Sequence, residues 1–364
     1  MRILITLSVS LLALSLNSCS KEDGIDGHDK NLITDPPGVF VSAPSGASIK
    51  KVGDNYLWLG DILLSPMQLE EVKSKGYIPG IKEMHESGKP DLSLSPVTNL
   101  PLSLNNSSKA VGVYPTPYNL WAMVRYVYAP DLSYDRRQII KEAILHWEAN
   151  TNIRFYNATG QPTKDPQYGF DYPYVEFVNG NVNNSYVGRI GGRQVINLAQ
   201  YQTSRASIHE IGHAIGLFHE QNAVNRDNFI NINWSNIKQS AKSNFDRVTS
   251  NYHIIGAVDY NSVMMYSSYI GDPDMVFDTN QPVMTRKDGT TWVGQSTLSS
   301  ADRMWANGLY LPYIARSDVY RELADVVYKS DNTVMTPQER LSLQAQLNNG
   351  NPTPPPGGRI PNNP

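Results

Sequence analysis

The stretch HEIGHAIGLFHE, residues 209–220, crowds three of the chain's seven histidines into eleven positions. His209 and His213 are four apart, so on a helix both imidazoles leave one face, a turn apart. From there two neutral ring nitrogens reach one Zn²⁺ at about 2.0–2.1 Å each. Glu210 follows the first ligand and is rotated partly off that face, where it addresses a metal-bound water without displacing a ligand. Gly216 stands three residues beyond His213, where helices commonly end in a left-handed residue that glycine adopts at least cost. The chain then turns and returns His219 as a third ligand. Three protein ligands leave a fourth position for water, the catalytic and not the structural arrangement of zinc. The rival is a helix whose histidines are merely packed or solvated. With histidine this scarce, five fixed positions agree by chance on the order of 10⁻⁵ of the time. The spacing predicts a catalytic metal site holding one Zn²⁺ per chain.

These residues form a metzincin zinc motif, and Glu220 directly after the third histidine makes the chain resemble the astacin family. Further segments are similar in the same order: SYVGRIGGRQVINL (185–198), NRDNFININWSNI (225–237), SNFD (243–246) and DYNSVMMYSSY (259–269). The similarity runs from about Leu120 to Tyr310. It implies an α+β, zincin-like catalytic domain: a mixed twisted sheet, an active-site helix and a mostly irregular C-terminal subdomain. It also implies a zinc endopeptidase acting on protein or peptide substrates. In the family's roles, Met264 floors the metal, and Tyr266 ligates it at rest and hydrogen-bonds the oxyanion during turnover. Glu210 is then the general base and acid, and a tyrosine donor stabilises charge where it develops. Two departures stand out. Met265 occupies a position where the family usually has His, and positions of the family's disulfides hold residues such as Asn152, Asn183 and Tyr201. The competing reading is a surface-anchored binding or adhesion protein on an inactive metzincin scaffold; intact Glu210, Tyr266 and three histidines weigh against it. Another metzincin type is disfavoured by Glu220 and by the Met-x-Tyr turn.

Around this region the chain divides by composition. Its 364 residues are 40% hydrophobic and 18% charged, with a net charge of −3 that offers no footprint for nucleic acid. Residues 110–311 read as the peptidase domain. Within it 120–128, 174–178 and 194–198 read as strands, and Ile140, Ala143, Ile144 and Trp147 recur at helical spacing between residues 131 and 150. Residues 312–350 read as a helical extension with helices at 317–328 and 336–347, and the Pro-rich tail 351–364 reads as disordered.

The N-terminal part, 1–109, reads as export signal, tether and inhibitory propeptide. Residues 1–18 have the basic start and short apolar core of a signal peptide. Cys19, the single cysteine, follows Leu-Asn-Ser in a pattern that resembles the bacterial lipoprotein box, where the cysteine is lipidated and anchors the protein to the outer membrane. The next residues, SKED, resemble an export signal of bacterial surface lipoproteins. An ordinary secretory signal with a chance cysteine is the alternative. From Ser20 to about Ile49 the composition is that of a tether, and from Ser65 the spacing predicts a short helix. Between them, WLGD (58–61) resembles the family's Phe-x-Gly-Asp latency motif, which makes Asp61 a zinc ligand in the zymogen; a plain Gly-Asp turn is the alternative. The resemblance also places an activating cut at Lys109-Ala110 and pairs the new amine of Ala110 with Glu220. Such a cut would release the enzyme from its anchor. His28, His85, His146 and His253 receive no role.

Overall fold

The computed structural model describes residues 38–78, 110–113, 115–116 and 119–362. Cys19, Lys109, His28 and His85 lie outside them. Four short strands come first: β1 (Val39–Val41), β2 (Ile49–Val52), β3 (Asn55–Trp58) and β4 (Ile62–Leu63). Each pairs antiparallel with the next. The tether reading is therefore corrected for residues 39–49: Val39 pairs with Lys51, and Ile49 is fully buried. Helix α1 (Pro66–Lys75) begins where its cap chemistry places it. Ser65 and Gln68 form a reciprocal capping box, Pro66 opens the first turn, and Gly76 at φ 82° closes the last. Its inner face is Leu69 and Val72.

The central sheet contains β6 (Val124–Tyr128), β7 (Phe155–Asn157), β8 (Tyr174–Asn179), β9 (Asn184–Ser185) and β10 (Arg193–Leu198), while β5 (Ala110–Val113) lies apart from it. Strands β6, β7, β8 and β10 run parallel, and β9 pairs antiparallel with β10. The N-terminal strands join this sheet through β4, which lies parallel to β9 and gives nine strands in the order β1-β2-β3-β4-β9-β10-β8-β6-β7. Helix α2 (Tyr134–Asn150) buries the four residues its spacing predicts. Helix α3 (Ser204–Ala214) packs beside it, with the Trp147 indole donating to the Ile208 carbonyl at 3.1 Å. Trp121 donates to the Ala214 carbonyl at 2.9 Å, so the middle and the C-terminal end of α3 are both tied to the core.

Beyond α3 regular structure thins, as the irregular C-terminal subdomain requires. Short 3₁₀ turns alternate with β11 (Ile230–Ile232), β12 (Tyr252–Ile255) and β13 (Met284–Arg286); β12 pairs with β5 and β11 with β13. Helix α4 (Ser300–Leu309) and helix α5 (Pro337–Leu347) follow, each with a capping box. Two expectations are corrected here. Residues 317–328 are not helical. Asp318 accepts the Tyr320 amide, an Asx-type bond that competes with a helix, and Glu322 and Leu323 return to pair with residues 312–314. The tail is also not loose through residue 362. Ile360 donates to Ala315, Arg359 pairs with buried Glu322, and Asn362 accepts the Asn157 amide at 3.0 Å on the outer strand β7.

Candidate metal centre and its latch

Helix α3 carries His209, Glu210 and His213, and Gly216 at φ 111° turns the chain out of it. The three ε-nitrogens converge: His219 Nε2 lies 3.2 Å from Nε2 of both His209 and His213. Each opposite ring nitrogen has its own partner. Nδ1 of His209 meets the Val263 carbonyl at 2.9 Å, Nδ1 of His213 the Leu217 carbonyl at 2.8 Å, and Nδ1 of His219 the Asn222 side-chain oxygen at 3.2 Å. Acceptors on Nδ1 fix the proton there and leave the Nε2 lone pairs facing inward.

A fourth donor enters from the N-terminal segment. Leu59 at φ 52° and Gly60 at φ 104° make two consecutive left-handed residues, and this turn drives Asp61 into the histidine cluster. Its Oδ1 lies 3.3 Å from Nε2 of His213 and of His219, and Oδ2 lies 3.6 Å from Nε2 of His209. Ligands held at about 2.0–2.1 Å on a tetrahedral ion sit about 3.3–3.4 Å from one another. The ligand atoms of Asp61 and the three histidines lie within 4.8 Å of one another. Zinc fits this set: three imidazoles and one carboxylate oxygen, in the size of a closed tetrahedron.

The electrostatics follow from that packing. Burial alone would lift the Asp61 carboxyl. The His219, His213 and His209 rings clustered around it outweigh burial and hold it well below the usual carboxylate range. Burial pulls His213 below the ordinary imidazole value, which favours the neutral ligand form. Glu210 is buried and its Oε2 has no hydrogen-bond partner. Burial, then the charge of Asp61, push it well above the usual carboxylate range.

Met264, Tyr266 and Met265 lie around the cluster. Met264 is fully buried beneath α3, and a Cβ on Gly212 would lie 2.5 Å from its sulfur, so the helix needs glycine there. The Tyr266 ring stands 4.8 Å from that of His219 at 64°. A Cβ on Gly60 would lie 2.8 Å from the Tyr266 hydroxyl. Met265 is buried in one apolar cluster with Tyr266 and Phe245.

The Glu220 carboxylate is buried and already hydrogen-bonded in the uncut chain. The Val111 amide donates to Oε1 at 3.2 Å and the Asp259 amide to Oε2 at 3.0 Å. Burial raises it even so. Ala110 is 1% exposed and sits in β5 opposite Ile255. The surroundings of Glu220 are therefore ordered in the uncut chain. Sequence reasoning missed two residues. Asn222 meets His219 through its side-chain oxygen. Asp302 on α4 accepts the Ser262 hydroxyl at 2.6 Å and the Val263 amide at 3.0 Å, fixing the turn whose carbonyl holds His209. Neither is a ligand, and the groups that lock them in place, Asn244 and Asp246 for Asn222 and Ser262 and Val263 for Asp302, are distant in sequence. His146 and His253 lie outside the cluster. Among the described residues no helix is long and apolar enough to cross a membrane.

Comparison with known proteins agrees with this geometry. The profile of the astacin peptidase family matches residues 114–311. Zinc metalloproteinase nas-14 of Caenorhabditis elegans is 29% identical over 280 residues, 74% of this chain and 50% of that protein. The chain thus spans about half the length of that relative. Astacin-like metalloprotease toxin 1 of Loxosceles intermedia is 32% identical over 201 residues, 52% of this chain and 71% of the toxin. Among solved structures, High choriolytic enzyme 1 of Oryzias latipes, a hatching enzyme zinc-protease, is similar at 24% identity and a TM-score of 0.44. It covers 52% of this chain and 92% of its own. Because the family profile covers more than half of the chain and includes all three converging histidines, this protein belongs to the astacin family.

Proposed function

We propose that the protein is a zinc-dependent endopeptidase held latent by its own N-terminal segment. The observation that carries this reading is Asp61, whose carboxylate completes a tetrahedral set with His209, His213 and His219. Zinc bound there supplies a Lewis acid that polarises a scissile carbonyl and acidifies water. The chain's own groups do the rest. Glu210 takes a proton from the attacking water at its unpartnered Oε2 and passes it to the leaving amine. Tyr266, freed from Gly60, aims its hydroxyl at the developing oxyanion. Met264 fills the space under α3 and keeps the ligand helix in place.

Latency has two parts. Asp61 fills the position a water would take. Its backbone also occupies the sheet edge, with the Ser185 amide donating to the Asp61 carbonyl at 3.2 Å and β4 lying along β9. An extended substrate adding to that edge must displace the segment. We place the activating cut at Lys109-Ala110, made by a separate protease. The new amine of Ala110 would then join the Val111 amide at Glu220, one residue away. We further propose export as a lipoprotein, with Cys19 anchoring the latent form to the outer membrane or cell surface and the cut releasing the peptidase. The substrates on this reading are proteins or peptides.

The test uses the purified chain with its zinc content measured and casein as substrate. The cut wild type should cleave casein, Glu210→Ala should retain zinc without cleaving, and uncut Asp61→Ala should gain partial activity. Equal cleavage by wild type and Glu210→Ala would sink the mechanism. Mass spectrometry of the membrane-bound form reads lipidation at Cys19, and N-terminal sequencing of the active form reads the cut.

A further inference from the structure

Two of the three histidines lean on backbone carbonyls, Val263 for His209 and Leu217 for His213. No side-chain change removes those acceptors directly. His219 alone leans on a side chain, the amide oxygen of Asn222. Asn222 is fully buried, and its nitrogen donates to two carbonyls, Asn244 at 2.9 Å and Asp246 at 2.6 Å. Those acceptors decide which way the amide faces. A flipped amide would set its oxygen against two carbonyl oxygens and its NH₂ against His219, leaving both carbonyls without a donor. With both amide hydrogens committed, the oxygen has to face the imidazole. The proton therefore stays on Nδ1 of His219, and the Nε2 lone pair stays available to the metal.

We propose that Asn222 is the positioning residue for the third zinc ligand: it sets the tautomer and ring orientation of His219 through an amide locked by the loop at residues 244–246. The same loop is what the N-terminal segment covers. A Cβ on Gly60 would lie 3.4 Å from Asn244 Cγ, and Asp246 hydrogen-bonds Ser48. His219 is thus the ligand whose support is reached from the latch, while His209 and His213 are held from within the peptidase core. The inference rests on the zinc endopeptidase reading.

Two substitutions separate positioning from bulk structure. Asn222→Ala removes the acceptor and both donors. Asn222→Asp keeps an acceptor for His219 and loses both donations to the loop. Zinc affinity of the full chain is measured by competition with a chelator, and the melting temperature of the zinc-free form is measured beside it. Removing the outer partner of a histidine ligand typically weakens metal binding about 10- to 100-fold. Asn222→Ala should fall in that range, and Asn222→Asp should stay within a few-fold of wild type. The zinc-free melting temperature should drop in both. Affinity then follows the acceptor, and stability follows the donors. If wild type and Asn222→Ala bind zinc alike, or Ala and Asp lose it equally, Asn222 supports the fold only and the proposal is overturned. Failure of the wild type to bind zinc would instead overturn the endopeptidase reading beneath it.

Discussion

At Gly60 two constraints meet on one missing atom. The residue's φ of 104° lies where an L side chain is strained, and a Cβ would stand 2.8 Å from the Tyr266 hydroxyl. Alanine there must open the turn, push Tyr266 aside, or both, and either movement draws Asp61 away from the histidines. Uncut Gly60→Ala should therefore lose zinc to a chelator faster than wild type and cleave casein before any processing. Latency equal to that of wild type would show that the turn does not set the carboxylate. The residues legible in the sequence share a reason. His209, Glu210, His213, Gly216 and His219 are related by local helix geometry, so their spacing carries the chemistry. Asp61 reaches the same cluster from another part of the chain, and only the WLGD resemblance pointed to it. Asn222 was illegible because what defines it, two carbonyls in the 244–246 loop, is set by tertiary folding.

Between elements, the β5–β12 pair carries a titratable group that nothing in the metal site uses. His253 on β12 pairs across the ladder with Gly112 and lies 5.9 Å, ring to ring, from Trp305. Burial pulls its pKa down from 6.5 to about 4. In the unfolded chain the imidazole takes up its proton near pH 6.5, while the folded form stays neutral until about pH 4. Acid thus favours unfolding across that window. The contribution is fully present above pH 6.5, is lost as the pH falls, and amounts to at most about 3 kcal/mol. Denaturant melts of wild type and His253→Leu should give a stability difference that shifts by up to that amount between pH 7 and pH 4. Parallel curves would remove His253 from the acid response. Element reading succeeded where the local pattern agreed with the packing, as in α2, whose four spaced apolar residues are its buried face. It failed at 317–328, where Leu323 and Val327 have helical spacing and are buried. There Asp318 captures a local amide, and Glu322 is drawn between Arg316 and Arg359. Pairing with residues from a distant tail outweighed a local preference.

Across the whole molecule, the single cysteine lies outside the described residues, so hydrogen bonds and packing hold the described fold together. Asn152, at a position where the resemblance led us to look for a disulfide, shows how. It is fully buried at the end of α2, and its backbone amide donates to the Asn307 side chain on α4 at 2.8 Å. Its side chain donates to the Tyr328 carbonyl at 2.7 Å and accepts the Tyr328 amide at 2.8 Å. One residue thus joins α2, α4 and the extension beyond residue 311. The extension in turn reaches the sheet's outer strand through Asn362, which accepts the Asn157 amide and donates to the Phe155 carbonyl. The backbone partners of an extended edge strand are thereby covered, as a free edge would otherwise invite pairing with another chain. Asn152→Ala should leave the Tyr328 amide and carbonyl without their partners, at about 1–3 kcal/mol for each buried group that water cannot reach. The site itself does not touch Asn152, so zinc content at low temperature should stay at the wild-type level. The loss should appear as a lower melting temperature and as earlier proteolytic cutting between residues 312 and 336. A variant that melts lower but keeps wild-type cutting there would place the strain in α2 and not in the extension. Unchanged melting would mean that the Glu322 cluster and the apolar group of Leu311, Leu323, Val327 and Leu343 hold the extension without it.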